Sequence, residues 1–194
     1  KIMGIKENIL KINSELPPST KLVAVSKFKP VEAVQQAYDA GQRVFAESRP
    51  QELKMKVELL PKDIEWHFIG HLQTNKIKMV VPYTTLIHSI DSERLLIEVG
   101  EYARKNGYHP GVLLELHIAQ EETKQGFSAE EILSLLDRIA ADGDLRGKLS
   151  NISFRGLMAM ASFVDDEDQI RGEFSKLLEL NHQIKKRGYP FLDN

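Results

Sequence analysis

Strand-like and helix-like stretches alternate along this chain at a nearly constant interval. Apolar, strand-like runs begin at Lys21, Arg43, Glu65 and Leu86, so each one begins 21 or 22 residues after the one before. That interval has room for one strand and one helix, which is the repeating unit of α/β proteins. The sequence therefore predicts an α/β fold whose parallel strands are linked by right-handed crossovers.

Two later strand-like runs are almost continuously apolar. GVLLELHIA begins at Gly111 and ISFRGLMAM begins at Ile152, and strands that are buried on both faces of a parallel sheet have this composition. A complete TIM-type (β/α)8 barrel typically has about 250 residues, whereas this chain has 194 residues and six such runs. We therefore expect residues 1–194 to form a single barrel domain that lacks its last strands, so that the sheet does not close.

Helix boundaries are marked by capping residues. Ser48 with Gln51, and Ser128 with Glu131, form capping-box patterns at the start of two helices, and Asp91 is a candidate cap for another. The polar, glycine-containing segment 141–151 predicts a loop. Helix starts therefore fall just after strand ends.

Composition narrows the class of ligand and partner. The net charge is −2 with a pI of about 6.3, so no basic field attracts nucleic acid or anionic membranes. The chain has no cysteine, which removes disulfides and thiolate metal sites. No apolar run approaches the roughly 20 residues of a membrane-spanning helix. We expect a soluble, cytoplasmic, monomeric protein with a small or neutral ligand.

Lys27 stands where the first strand-like run, LVAV, gives way to a turn before Pro30. Strand ends in α/β folds face a shared mouth at which ligands bind. A lysine at such a position is a candidate for covalent chemistry with a carbonyl compound, because partial burial or a nearby cation lowers a lysine pKa and frees the amine. The alternative is an ordinary solvated lysine at the end of a strand.

Three other sequence features do not indicate a metal site, a phosphate-binding loop or a catalytic residue. His67 and His71 have the spacing of zinc ligands on a helix, but they flank strand residues and no glutamate follows the first histidine. The segment 143–148, GDLRGK, lacks the glycine spacing and the hydroxyl residue of a phosphate loop. His88 and His117 lie in apolar strands, which is typical of core or mouth residues rather than of catalysts. No metal site and no catalytic residue is predicted.

Six motifs together resemble those of the pyridoxal-phosphate homeostasis protein family (YggS or PROSC type), formerly described as alanine racemases. They occur in order over nearly the whole chain: AVSKFKP from Ala24, FAESRPQEL from Phe45, WHFIGHLQTNKIK from Trp66, HSIDSERLL from His88, LELHIAQEETKQGF from Leu114 and RGLMAM from Arg155.

The resemblance implies a barrel like the alanine racemase N-terminal domain, which holds pyridoxal 5′-phosphate (PLP) as a Schiff base. The lysine of the AVSK motif, here Lys27, carries the cofactor in that family. The other strand ends are expected to supply further cofactor contacts, namely Ser48, His67, Ser89 and Met158. The implied function is PLP binding and homeostasis, with the cofactor buffered and delivered to PLP-dependent apo-enzymes. The alternative is a PLP-dependent amino-acid racemase-like enzyme.

Two departures from the family pattern bear on the site. The second-strand motif is usually FGEN in the family, whereas this chain reads FAES, so Ser48 replaces an asparagine with a longer reach. The family also continues past FLDN with a serine- and glycine-rich strand that cradles the phosphate. The resemblance therefore predicts that the phosphate cradle lies beyond Asn194.

Overall fold

The computed structural model describes residues 4–118 and 125–192, and α/β alternation runs through both ranges. The strands are β1 (Ala24–Val25), β2 (Val44–Glu47), β3 (Glu65–Phe68), β4 (Leu86–Ile90), β5 (Gly111–Glu115) and β6 (Ser153–Met158). The helices are α1 (Ile5–Glu15), α2 (Val31–Asp39), α3 (Pro50–Leu59), α4 (Ile77–Val80), α5 (Glu93–Asn106), α6 (Ala129–Ala141), α7 (Gly143–Lys148) and α8 (Glu167–Arg187). Two 3-10 turns, Thr74–Lys76 and Val81–Tyr83, flank α4. All six expected strands form.

The strands make one parallel sheet in which each strand pairs with the next along the chain, in the order β1-β2-β3-β4-β5-β6. This is the order of successive strands in a (β/α)8 barrel. Among the described residues no pairing joins β1 to β6, so these two strands are the edges of an open sheet. The predicted α/β class and the predicted open sheet are both confirmed.

The core lies between the sheet and the helices that follow each strand. Phe45 of β2 packs on Trp66 of β3, with ring centroids 5.8 Å apart, and all four residues of β2 are buried. The helices contribute apolar residues such as Leu96 and Leu135 to the same cluster. Burial on both faces was also expected for β6, and there the expectation is wrong: Arg155 and Gly156 are exposed, because β6 is an edge strand.

Helix ends agree with the sequence in one case and differ in three. Ser128 and Glu131 form the expected capping box of α6. The cap of α5 is Ser92 rather than Asp91, and its hydroxyl accepts a hydrogen bond from the Leu95 N–H at 3.1 Å. The capping box expected at Ser48 and Gln51 is absent, because α3 begins at Pro50, whose missing N–H needs no cap.

The third difference concerns the segment expected to be a loop. Residues 143–148 form the short helix α7, and the Asp142 carboxylate caps it by accepting hydrogen bonds from the N–H groups of Asp144 and Leu145. Capping by a single aspartate compensates for two glycines with poor helix propensity. None of the described helices combines the length and the apolar composition that a membrane span requires.

Candidate functional site

Three of the predicted site residues lie at or just after the carboxyl ends of strands. Lys27 lies in the turn just after β1, Ser48 follows β2, and Met158 is the last residue of β6. Because all the strands are parallel, these positions lie at the same end of the sheet, the end where the strands finish, which we call its carboxyl edge. Lys27 is exposed, whereas Ser48 and Met158 are half-buried.

The turn that carries Lys27 has an unusual backbone. The Lys29 N–H donates to the Ser26 carbonyl oxygen at 3.0 Å, which closes a four-residue turn around Lys27 and Phe28. Phe28 has a φ of 62°, and a positive φ at the third position of such a turn is normally left to glycine or asparagine. No hydrogen bond or ion pair from another described residue engages the Lys27 amine. The turn is strained and its amine is free.

Ser48 and Ser89 meet at the same glycine. A Cβ atom at Gly70 would lie 2.2 Å from the Ser48 carbonyl oxygen, so only glycine allows this approach of the two chains. The Ser89 hydroxyl donates to the Gly70 carbonyl oxygen at 2.5 Å, and Ser89 is 2% exposed. The single hydroxyl proton of Ser89 is therefore committed to Gly70, so Ser89 could donate to a ligand only after leaving this bond, whereas its oxygen could still accept a hydrogen bond.

His67 is part of a hydrogen-bonded chain inside the sheet. His67 Nδ1 lies 2.9 Å from His88 Nε2, and His67 Nε2 lies 2.8 Å from Glu65 Oε2, which also pairs with Lys21 at 3.2 Å. Burial alone raises the pKa of Glu65, but hydrogen bonds from His67 and Lys21 outweigh it and lower the net pKa. Glu65 is thus a carboxylate that only accepts hydrogen bonds.

This chain fixes the tautomers of both histidines. Since Glu65 only accepts, the Nε2–H of His67 donates to it, which leaves Nδ1 of neutral His67 as the acceptor for the Nε2–H of His88. Burial lowers the pKa of His67, and burial together with the neighbouring His67 lowers the pKa of His88 to about 4. Both ring nitrogens of His67 are therefore occupied within the fold. The expected contact between His67 and the cofactor stays a prediction.

We expect His88 to make the fold sensitive to acid. In the unfolded chain His88 titrates near its ordinary pKa of 6.5, and in the folded chain near 4. Its contribution to stability is therefore fully present above pH 6.5 and is lost as the pH falls from 6.5 towards 4, for a total of about 3 kcal/mol. Urea unfolding of the wild type and His88→Gln at several pH values measures this loss.

The matched control is His182→Gln on the exposed surface of α8. The His88→Gln protein should lose less unfolding free energy than the wild type between pH 6.5 and 4, while His182→Gln should follow the wild type. Equal pH slopes for all three proteins would contradict the assignment.

Glu47, Glu52 and Lys56 form a buried ion cluster that contacts the Lys27 turn. The sequence did not indicate this cluster as functional. The Lys56 ammonium group has three acceptors: Glu47 Oε1 at 2.6 Å, Glu52 Oε1 at 2.9 Å and the Ser26 carbonyl oxygen at 2.6 Å. The side chains of Lys56 and Glu47 are fully buried. The only signals in the sequence were a glutamate inside the apolar run of β2 and the i, i+4 spacing of Glu52 and Lys56.

The two carboxylates of this cluster are in different electrostatic environments. Burial raises the pKa of Glu47, although hydrogen bonds from Lys56 and Ser26 oppose the shift. Burial also raises the pKa of Glu52, but the bonds from Lys56 and from the Phe28 N–H outweigh it, so the net pKa is lowered. Glu47 Oε2 has no hydrogen-bond partner among the described residues. Glu47 therefore depends on Lys56 for its charge compensation.

The donor set at this edge fits an aldehyde cofactor. The Lys27 amine is a group that condenses with a carbonyl. The backbone of Ser48 and the hydroxyl of Ser89 both lie close to Gly70. Among residues 4–118 and 125–192, no three histidine or acidic side chains are grouped as metal ligands. Part of the LELHIAQEETKQGF motif, residues 119–124, lies outside the described residues.

Comparison with known proteins gives one family and several relatives. The family described as "Alanine racemase, N-terminal domain" matches residues 3–192. The pyridoxal phosphate homeostasis protein of Aquifex aeolicus is 36% identical over 167 residues, which cover 86% of this chain and 70% of that protein.

Solved structures agree in fold. PipY of Synechococcus elongatus is 30% identical and covers 97% of this chain, with a TM-score of 0.88 without PLP and 0.85 with PLP bound. The alignments span 85% and 84% of the two PipY chains. An alanine racemase from E. faecalis has a TM-score of 0.71 at 17% identity, over 91% of this chain and 48% of the racemase. The racemase is similar in fold alone.

Proposed function

We propose that this chain, which belongs to the pyridoxal phosphate homeostasis protein family, binds PLP and serves PLP homeostasis. That family lies within the alanine racemase N-terminal domain family. The resemblance that the sequence motifs predicted is thereby confirmed. The observation that carries the proposal is the Lys27 amine, which is exposed and has no partner among residues 4–118 and 125–192, in a hydrogen-bonded turn at the carboxyl edge of the sheet.

Lys27 is proposed to hold the cofactor as a Schiff base. The Lys27 amine would bind the cofactor covalently, and PLP, when bound, would supply the aldehyde with which this amine condenses, with loss of water. Such a link would be reversible, because water can hydrolyse it. A lysine that is open to solvent therefore favours exchange of the cofactor over a permanently sequestered state.

The other predicted site residues would surround the cofactor from neighbouring strands. Ser89 offers a hydroxyl beside Gly70, Ser48 offers a hydroxyl just after β2, and Met158 offers an apolar side chain at the end of β6. His67 would act from within the sheet, through its hydrogen-bonded chain. These four contacts stay predictions.

Binding and release of PLP is proposed in preference to racemisation. When bound, PLP stabilises negative charge on a substrate carbon. Racemisation needs, in addition, proton-transfer groups on both faces of that carbon. In this chain the ring nitrogens of His67 are engaged with Glu65 and His88. The proposed role is to buffer PLP and to deliver it to apo-enzymes, from a single barrel domain that is cytoplasmic and monomeric.

Titration with PLP tests the proposal. The wild-type protein should develop the visible absorbance of a lysine Schiff base and should release PLP to an apo-enzyme added in excess, without racemising alanine faster than free PLP does. Turnover of alanine well above free PLP would favour the racemase-like alternative. Absence of the absorbance band would contradict PLP binding itself.

A further inference from the structure

The residues on either side of Lys27 are each held by the buried ion cluster of Glu47, Glu52 and Lys56. On one side, the Ser26 hydroxyl donates to Glu47 Oε1 at 2.6 Å, and the Ser26 carbonyl oxygen accepts from Lys56 at 2.6 Å. On the other side, the Phe28 N–H donates to Glu52 Oε1 at 2.7 Å. The cluster therefore fixes the backbone before and after Lys27.

The cluster is built to be rigid. The three N–H groups of Lys56 have three acceptors, so its donor capacity is filled. Glu52 and Lys56 are one turn apart on α3 and form an i, i+4 ion pair whose Lys56 side chain is 0% exposed. Charge-assisted hydrogen bonds that are shielded from water are stronger than those between neutral groups. The first two turns of α3 thus act as a fixed support for the turn after β1.

The strain at Phe28 points to a role beyond stability. A phenylalanine at a φ of 62° persists only when its surroundings over-determine it. The hydrogen bond that the Phe28 N–H donates to Glu52 supplies one constraint, and the Arg49 guanidinium, 4.3 Å from the centre of the Phe28 ring, supplies another. Without these constraints the residue would relax to a negative φ and turn the adjoining peptide, which would redirect the Lys27 side chain.

We propose that Glu52, supported by Lys56 and Glu47, is a positioning residue for Lys27: it holds Phe28 in the left-handed region, so that the Lys27 amine faces the mouth in the orientation that condenses with an aldehyde. The inference rests on the proposed function, since it assigns a role in the Schiff base. It adds three residues of the β2 and α3 segment to the site, although none of them touches the ligand.

Glu52→Ala is the principal test variant, with Glu58→Ala as the matched control. Both glutamates are on α3, but Glu58 is exposed and its side chain has no hydrogen bond or ion pair with any described residue. We expect Glu52→Ala to form the Schiff base with PLP roughly tenfold more slowly than the wild type, because a charge-assisted hydrogen bond to the turn is lost. Glu58→Ala should react at the wild-type rate.

Two rescue variants separate positioning from simple destabilisation. Glu52→Gln keeps an oxygen that accepts the Phe28 N–H and should stay within about twofold of the wild-type rate. The double variant Glu52→Ala with Phe28→Asn should regain most of the lost rate, because asparagine tolerates the left-handed region without outside support. A wild-type rate in Glu52→Ala, or a loss that neither variant rescues, would overturn the inference.

Hydrogen exchange of the Phe28 amide in the ligand-free protein gives an independent reading. The amide should be protected in the wild type and in Glu52→Gln and should exchange at least about tenfold faster in Glu52→Ala. Equal protection in all three proteins would overturn the anchoring role. If the wild type forms no Schiff base, the proposed function fails, while the Phe28 amide still decides whether Glu52 holds the turn.

Discussion

Lys27→Ala protein mixed with PLP is expected to show no visible Schiff-base absorbance and to bind PLP roughly 100-fold more weakly than the wild type, a loss of about 3 kcal/mol. The reason is that the Lys27 amine, which is exposed and has no partner among the described residues, is the proposed attachment point of PLP, so its removal leaves only non-covalent contacts. Absorbance titration and equilibrium dialysis measure the two effects.

Lys29→Ala is the matched control for this experiment. Lys29 is an exposed lysine in the same turn, and only its backbone N–H takes part in the turn. The Lys29→Ala protein should keep the absorbance band and the wild-type affinity. If both variants lose the band equally, the net charge of the turn rather than a particular amine would explain binding.

The second large effect is expected on stability, from Lys56→Met. The side chains of Lys56 and Glu47 are 0% exposed, and removal of one partner leaves a buried charge without compensation, which costs about 3–5 kcal/mol. For a chain of this size the melting temperature should fall by roughly 10 °C. Thermal unfolding in the absence of PLP measures the change.

A matched variant and a double variant sharpen this test. Lys54→Met, two residues away on the same helix but exposed, should change stability by less than about 0.5 kcal/mol. Glu47→Gln combined with Lys56→Met removes both charges and should be more stable than Lys56→Met alone. A Lys56→Met protein as stable as Lys54→Met would contradict the description of a buried ion pair that stabilises the fold.

Local pattern was sufficient to predict the strands, because each strand carries its own apolar run and its own spacing. The predicted strand starting at Leu86, for example, is β4 at Leu86–Ile90. Segment 143–148 was predicted to be a loop because its two glycines disfavour a helix, and the cap that Asp142 supplies was not recognised. Strand β6 was predicted to be buried on both faces from its apolar composition. Its exposure could not be predicted in this way, because the burial of an edge strand depends on what lies beside it.

The position of Lys27 could be predicted, but its support could not. A lysine at a strand end can be recognised in the sequence. The ion cluster that supports it joins the turn after β1, strand β2 and helix α3, and these segments come into contact only in the folded protein. Glu47, Glu52 and Lys56 look like solvated charges until burial is known. The His67–His88 bond is hidden for the same reason, because the two residues are on different strands.

Borohydride reduction of the wild-type protein with PLP, followed by peptide mapping, tests whether Lys27 carries the cofactor. Reduction converts the Schiff base into a stable amine, so the modified lysine is identified by mass. We expect the adduct on the peptide that contains Lys27, and we expect no adduct in the Lys27→Ala protein. An adduct on another lysine, or adducts spread evenly over the exposed lysines, would contradict it.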